Sequence, residues 1–126
     1  MNNPPSILGV NHVQIEAPAG CEDAARAFFG ELLGMVEIEK PANLRGRGGV
    51  WFACGAQQIH IGIVMDFVPR RKGHPALEVR DLAGWRVRLT AAGVAITEDE
   101  PLPGWQRFYI ADPWGNRLEL LESDSG

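Results

Sequence analysis

The chain has 126 residues, enough for one domain that buries roughly two-thirds of its unfolded surface and too few for a second large one. Its 45% hydrophobic and 22% charged residues exclude the disordered regime, and a net charge of -4 with a pI near 5.3 lacks the basic footprint of a nucleic-acid binder. No apolar run approaches the roughly 18 residues that span a bilayer, and MNNPPSILGV has neither a basic start nor a signal-peptide core, so a cytoplasmic protein with no membrane partner is expected.

The first predicted element is NHVQIEAP, residues 11–18, where Val13 and Ile15 alternate with His12, Gln14 and Glu16 in the period of a half-buried strand. CEDAARAFFGELLG follows as an amphipathic helix, with Ala25, Phe28, Phe29, Leu32 and Leu33 on one face, Glu22 and Asp23 at its start and Gly34 as its stop. Three strands come next: MVEIEK from Met35, GVWFACG from Gly49 and QQIHIGIV from Gln57, the last two joined by a turn at Gly55 and Ala56. Cys21 and Cys54 lack C-x-x-C spacing, which excludes a zinc ribbon and reads as reduced structural thiols.

After a linker, FVPRRKG, the order repeats. HPALEVRDL from His74 is a predicted strand, and DLAGWRVRLTAAGV is a helix started by Asp81, with Leu82, Trp85, Leu89 and Ala92 on one face and Gly93 at its end. Three strands, AITEDEP, QRFYIAD and RLELLE, close the chain, the last two joined by a tight turn at DPWGN. Gly34 and Gly93 stand 59 residues apart, as do His60 and Glu119, so the register of a duplication holds. The expected organisation of residues 1–126 is one α+β domain of two tandem βαβββ modules, residues 8–66 and 74–122 with a linker over 67–73, whose mixed sheet curves into a cup with helices outside.

His12, His60 and His74 fall within these predicted strands, and in each strand the aliphatic residues take the opposite parity; Glu119, between Leu118 and Leu120, behaves identically. If the aliphatic faces pack on the helices, three imidazoles and one carboxylate share the other surface. They form a suitable ligand set for one divalent ion, whether zinc, nickel, iron, cobalt or manganese, and the set does not choose among them. Arg107 and Tyr109 share a strand face that points into the same cavity, and Trp51 is a candidate wall for an aromatic substrate pocket. Arg45, Arg47, Arg70, Arg71 and Lys72 read as solvated loop charges.

The segments NHVQIEAP, QIHIGI, HPALEV and DPWGNRLEL, in doubled βαβββ order, resemble the vicinal oxygen chelate superfamily, which holds glyoxalase I, fosfomycin-resistance enzymes, extradiol dioxygenases and bleomycin-resistance proteins. The resemblance covers about residues 8–122, and its most specific part is the D-P-x-G-N-x-x-E signature. It implies that His12, His60, His74 and Glu119 hold one metal ion per site, which chelates neighbouring oxygens of a small-molecule substrate, and that Glu119 is also the catalytic base of a lyase- or isomerase-type proton transfer. It implies too a homodimer with sites at the subunit interface, where His12 and His60 of one chain meet His74 and Glu119 of the other.

Three departures sort the family's activities. Bacterial glyoxalase I resembles this ligand pattern but has a carboxylate at the position of His60 and a glutathione-binding arginine at that of Glu16. Extradiol dioxygenases have a tyrosine at the position of Tyr109, but the histidine they place just upstream is absent from residues 100–107. Bleomycin-resistance proteins bind their ligand without the metal set that this chain has. The expectation is therefore a glyoxalase-like metalloenzyme, with a metal-free binding protein and an extradiol-type dioxygenase as the alternatives.

Overall fold

The computed structural model describes residues 3–125; residues 1, 2 and 126 of the expected domain lie outside them. The alternation in β1 (His12–Ala17) buries Ile15 and Ala17 and leaves His12 and Gln14 exposed. The first helix begins as α1 (Glu22–Ala25) and continues unbroken as a wider π-helical segment, Arg26–Leu32. Neighbouring Phe28 and Phe29 both enter the core. A wider winding turns less per residue, which accommodates two consecutive large side chains on one face.

Strands β2 (Val36–Ile38), β3 (Val50–Cys54) and β4 (Gln57–Ile63) complete a four-stranded sheet in the order β1-β4-β3-β2, with β1 parallel to β4 and the other pairs antiparallel. Gly49, which leads into β3, has φ +80°, and an added Cβ would stand 2.1 Å from the Ile61 carbonyl oxygen. Only glycine fits so close to that backbone. Its N–H is held by the Glu22 carboxylate of α1 at 2.7 Å, a contact that lowers the Glu22 pKa.

The second sheet has the order β5-β7-β6, made of β5 (Ala76–Glu78), β6 (Trp105–Ala111) and β7 (Arg117–Ser123), and it is packed by α2 (Leu82–Ala91). Asp81 caps α2 by accepting the Gly84 N–H, as its position predicts. Glu122 of β7 accepts the N–H groups of Asp81 and Leu82, so strand and helix start are tied directly.

The structure corrects the sequence reading in three places. AITEDEP forms no strand, only one bridge between Thr97 and Tyr109: Asp99 and Glu100 suit a ladder poorly, and Pro101 has no N–H to give one. The second module therefore has three strands where four were expected. His74 lies before β5 and not in it, because Pro75 follows it and pairing starts at Ala76. On α2, Leu82 and Leu89 are buried and Trp85 is partly so, but Ala92, at the C-cap, is exposed.

One continuous core joins both halves, from Ile15, Phe29 and Phe52 to Leu89, Phe108 and Leu120. The DPWGN turn fastens them together. Asp112 accepts the N–H groups of Trp114 and Asn116, and Asn116 in turn donates to the Glu16 carbonyl and accepts the Arg70 N–H, both at 2.8 Å. Burial raises the Asp112 pKa against these contacts. No helix among the described residues is long and apolar enough to cross a membrane. Cys21 and Cys54 are free thiols, and burial raises the pKa of both.

Candidate functional site

Strand parity places His12, Gln14, Gln58, His60 and Trp51 on the face of the first sheet opposite the aliphatic core, and the pairings bring them together: Gln14 lies beside His60 across β1 and β4, and Trp51 beside His60 across β3 and β4. His60 is sandwiched. Its ring stacks on Trp51 at 3.8 Å with planes 2° apart, and on His12 at 4.1 Å with planes 16° apart, which leaves it only 5% exposed on a nominally polar face. Desolvation, with the neighbouring His12 second, lowers the His60 pKa and so favours the neutral ring. The tautomers follow from the partners. His60 donates Nε2–H to Gln58 Oε1 at 2.8 Å and keeps its Nδ1 lone pair, while His12 donates Nδ1–H to Asn11 Oδ1 at 2.8 Å and keeps Nε2.

The second sheet carries the other pair. Glu119, 5% exposed, lies between Ala76 and Tyr109 in the ladder, and His74 reaches it from the loop before β5 with Nε2 2.9 Å from Oε1. His74 Nδ1 is 2.7 Å from the Lys72 carbonyl, an acceptor only, so Nδ1 carries a proton. Nε2 is therefore the ring nitrogen turned to the Glu119 carboxylate, at a separation that suits either a hydrogen bond or two donors to one ion. Arg107 supports the carboxylate from the other side, with Nη1 3.5 Å from Glu119 Oε2 and donating to the Tyr109 hydroxyl at 2.7 Å.

The donor types, three imidazoles and one carboxylate, fit a divalent ion of the zinc to manganese series. Their arrangement in one chain is two by two: His12 with His60, and His74 with Glu119, with no group of three potential ligands among the described residues. The stacked pair also needs adjustment. Imidazole lone pairs lie in the ring plane, and stacked, nearly parallel rings with centroids 4.1 Å apart cannot both aim a nitrogen at one ion about 2.0 to 2.1 Å away unless one ring turns.

A cleft of about 540 Å³ opens beside this face, lined by Gln14 and Glu16 of β1, Arg70 and His74 of the connection, and Arg117 of β7. A second cleft of the same volume, lined by Met35, Cys54, Leu77 and Trp85, contains none of the candidate ligands. Of the residues expected to meet substrate, Arg107 and Tyr109 adjoin Glu119, whereas Trp51 has one ring face covered by His60. Sequence reading missed Gln58 and Arg117. Each stands two residues before a candidate ligand on the same strand face, so the parity that found His60 and Glu119 contained the signal for both.

Two small sheets, each packed by a helix and joined to the other through one core, define an α+β fold of paired modules. The chain belongs to the glyoxalase/bleomycin resistance protein/dioxygenase superfamily, whose family model matches residues 9–120. A glyoxalase family protein from Bacillus anthracis is similar over 98% of this chain and 100% of that one, with a TM-score of 0.92 and 46% identity. Lactoylglutathione lyase from Agrobacterium tumefaciens matches at 26% identity and a TM-score of 0.69, over 95% of this chain and 96% of that one. The fosfomycin resistance protein FosX from Listeria monocytogenes, at 18% identity and a TM-score of 0.75 over 91% of each chain, shares the fold. No curated protein matches the chain.

Proposed function

We propose that the protein is a glyoxalase-like metalloenzyme of the lyase or isomerase type, which moves a proton on a small substrate bearing neighbouring oxygens. The observation that carries this reading is the His74–Glu119 pair, a buried carboxylate 2.9 Å from Nε2 of an imidazole that lines a substrate-sized cleft. Glu119 is positioned on two sides, by His74 and by Arg107, so its carboxylate is fixed before substrate arrives. The superfamily membership and the likeness to a lactoylglutathione lyase support the reaction class.

His12, His60, His74 and Glu119 would hold the ion, which when bound supplies Lewis-acid stabilisation of negative charge on the substrate oxygens. Because one chain offers its donors in two separate pairs, the reading includes a two-fold dimer in which each pair is completed by the partner, giving two equivalent sites. Glu16 is held by Arg70 at 3.0 Å, and this position offers no cation to a glutathione carboxylate.

Titration of tag-free protein with zinc or nickel tests the proposal, with sedimentation run in parallel. One ion per chain, bound by a dimer, is the expected outcome, together with exchange of a substrate C–H proton into solvent deuterium. Protein that binds no divalent ion and catalyses no exchange overturns it.

A further inference from the structure

Three arginines stand around this face, and they are not equally engaged. Arg107 contacts two acids, Glu119 at 3.5 Å and Asp99 at 3.8 Å, and Arg117 acts on Asp99 only at longer range. Arg70, across the cleft, is paired with Glu16. Arg117 is different: among the described residues its guanidinium has no hydrogen bond or ion pair, although it is half-buried and lines the 540 Å³ cleft together with His74. It is nonetheless held in place, because its guanidinium carbon stands 4.4 Å over the Tyr109 ring. Arg107 Nε, on the same strand-face cluster, is a second guanidinium N–H that is buried without an acceptor among the described residues. Surplus N–H donors around a fixed cation, beside an acid–base pair and in a concave site, are complementary to an oxyanion.

We infer that Arg117 is the oxyanion subsite of this cleft, so that the substrate is an anion whose carboxylate or phosphoryl group docks on the Arg117 guanidinium while its neighbouring oxygens face His74 and Glu119. This rests on the proposed function for the second half of the statement only. A planar guanidinium offers parallel N–H donors to either kind of group, and stacking on Tyr109 removes much of the ordering cost that a free arginine would meet.

The test is ¹⁵N NMR of the arginine Nε–Hε groups of the full chain, assigned through the backbone so that no variant is needed, during titration with sodium lactate, inorganic phosphate or lactamide. The Arg117 resonance is expected to shift saturably with lactate or phosphate and not with the neutral amide; the tighter anion identifies the group as carboxylate or phosphoryl. Arg117→Gln should weaken that binding roughly tenfold or more, the loss of a charge-assisted contact, and Arg80→Gln, which alters net charge equally at an exposed position, should leave it unchanged. Equal shifts with lactamide, no saturable shift with either anion, or undiminished anion binding by Arg117→Gln overturns the inference. Metal content measured on the same samples separates the two readings. Anion selectivity without a bound ion removes the metalloenzyme and keeps the subsite, and a bound ion without anion selectivity does the reverse.

Discussion

Glu119 combines two roles that a single substitution can separate. Glutamine keeps an oxygen donor, and its amide can donate to the His74 Nε2 lone pair, so Glu119→Gln preserves the local hydrogen bonding but has no carboxylate to accept a proton. Turnover of a substrate found active with the unaltered chain is expected to fall by roughly 10² to 10⁴, the usual share of general acid–base catalysis, while metal affinity falls less. Steady-state kinetics and metal content on the same preparation check this, and a variant with full activity would assign the proton to another group. At this scale the sequence was legible wherever strand alternation decides the face, which is why His12, His60 and Glu119 were each placed opposite the aliphatic side of their strands. What alternation does not encode is which neighbours touch. The stacking of His60 between Trp51 and His12 depends on cross-strand register, and the reach of His74 to Glu119 comes from a loop that Pro75 keeps out of the sheet.

At the level of elements, hydrogen bonds from side chains to backbone reinforce the apolar core, between the modules at Asn116 and Glu16 and within them elsewhere. Glu22 on α1 holds the Gly49 N–H at the entrance to β3, and it does so as a carboxylate, because that contact is the largest cause of its lowered pKa. A carboxylate with a lower pKa folded than unfolded stabilises the fold above its unfolded pKa, and this contribution is lost as pH falls through the folded value. Glu22→Gln is therefore expected to cost about 1 kcal/mol at neutral pH and almost nothing at a pH well below the lowered folded value, where the natural side chain is protonated as well. Urea unfolding of both proteins at the two pH values measures the difference; a cost independent of pH would show that the carboxylate charge is irrelevant. The elements with strong alternation, β1 and β4, were readable from the sequence, and α2 was readable from its Asp81 cap and Gly93 stop. The segment over residues 95–101 misled because Ala95, Ile96 and Thr97 begin like a strand, whereas Asp99, Glu100 and Pro101 prevent its ladder from growing past one bridge. The π-helical winding carries no sequence signature beyond the adjacent Phe28 and Phe29, whose joint burial is a tertiary effect.

For the whole molecule, the duplication was visible as an offset of 59 residues for Gly34 and Gly93 and for His60 and Glu119, and of 62 for His12 and His74, but an offset says nothing about whether two modules of one chain face each other or face those of a second chain. Each chain holds its candidate ligands in two separate pairs, which makes subunit exchange an informative experiment. One variant, His12→Ala with His60→Ala, retains only the second pair; the other, His74→Ala with Glu119→Gln, retains only the first. Neither homodimer can assemble four ligands. In a heterodimer the intact first pair of one chain meets the intact second pair of the other, while the two damaged pairs meet each other, so one of its two sites is restored. Equal mixing, with unfolding and refolding to exchange subunits, makes heterodimers about half of the population, so metal content and turnover should recover to about a quarter of the natural protein's values. Sites built within single chains predict no recovery at any mixing ratio, because every chain lacks one pair. Recovery that rises with the heterodimer fraction, read by metal analysis alongside native mass spectrometry, would therefore locate the site between subunits independently of what the substrate is.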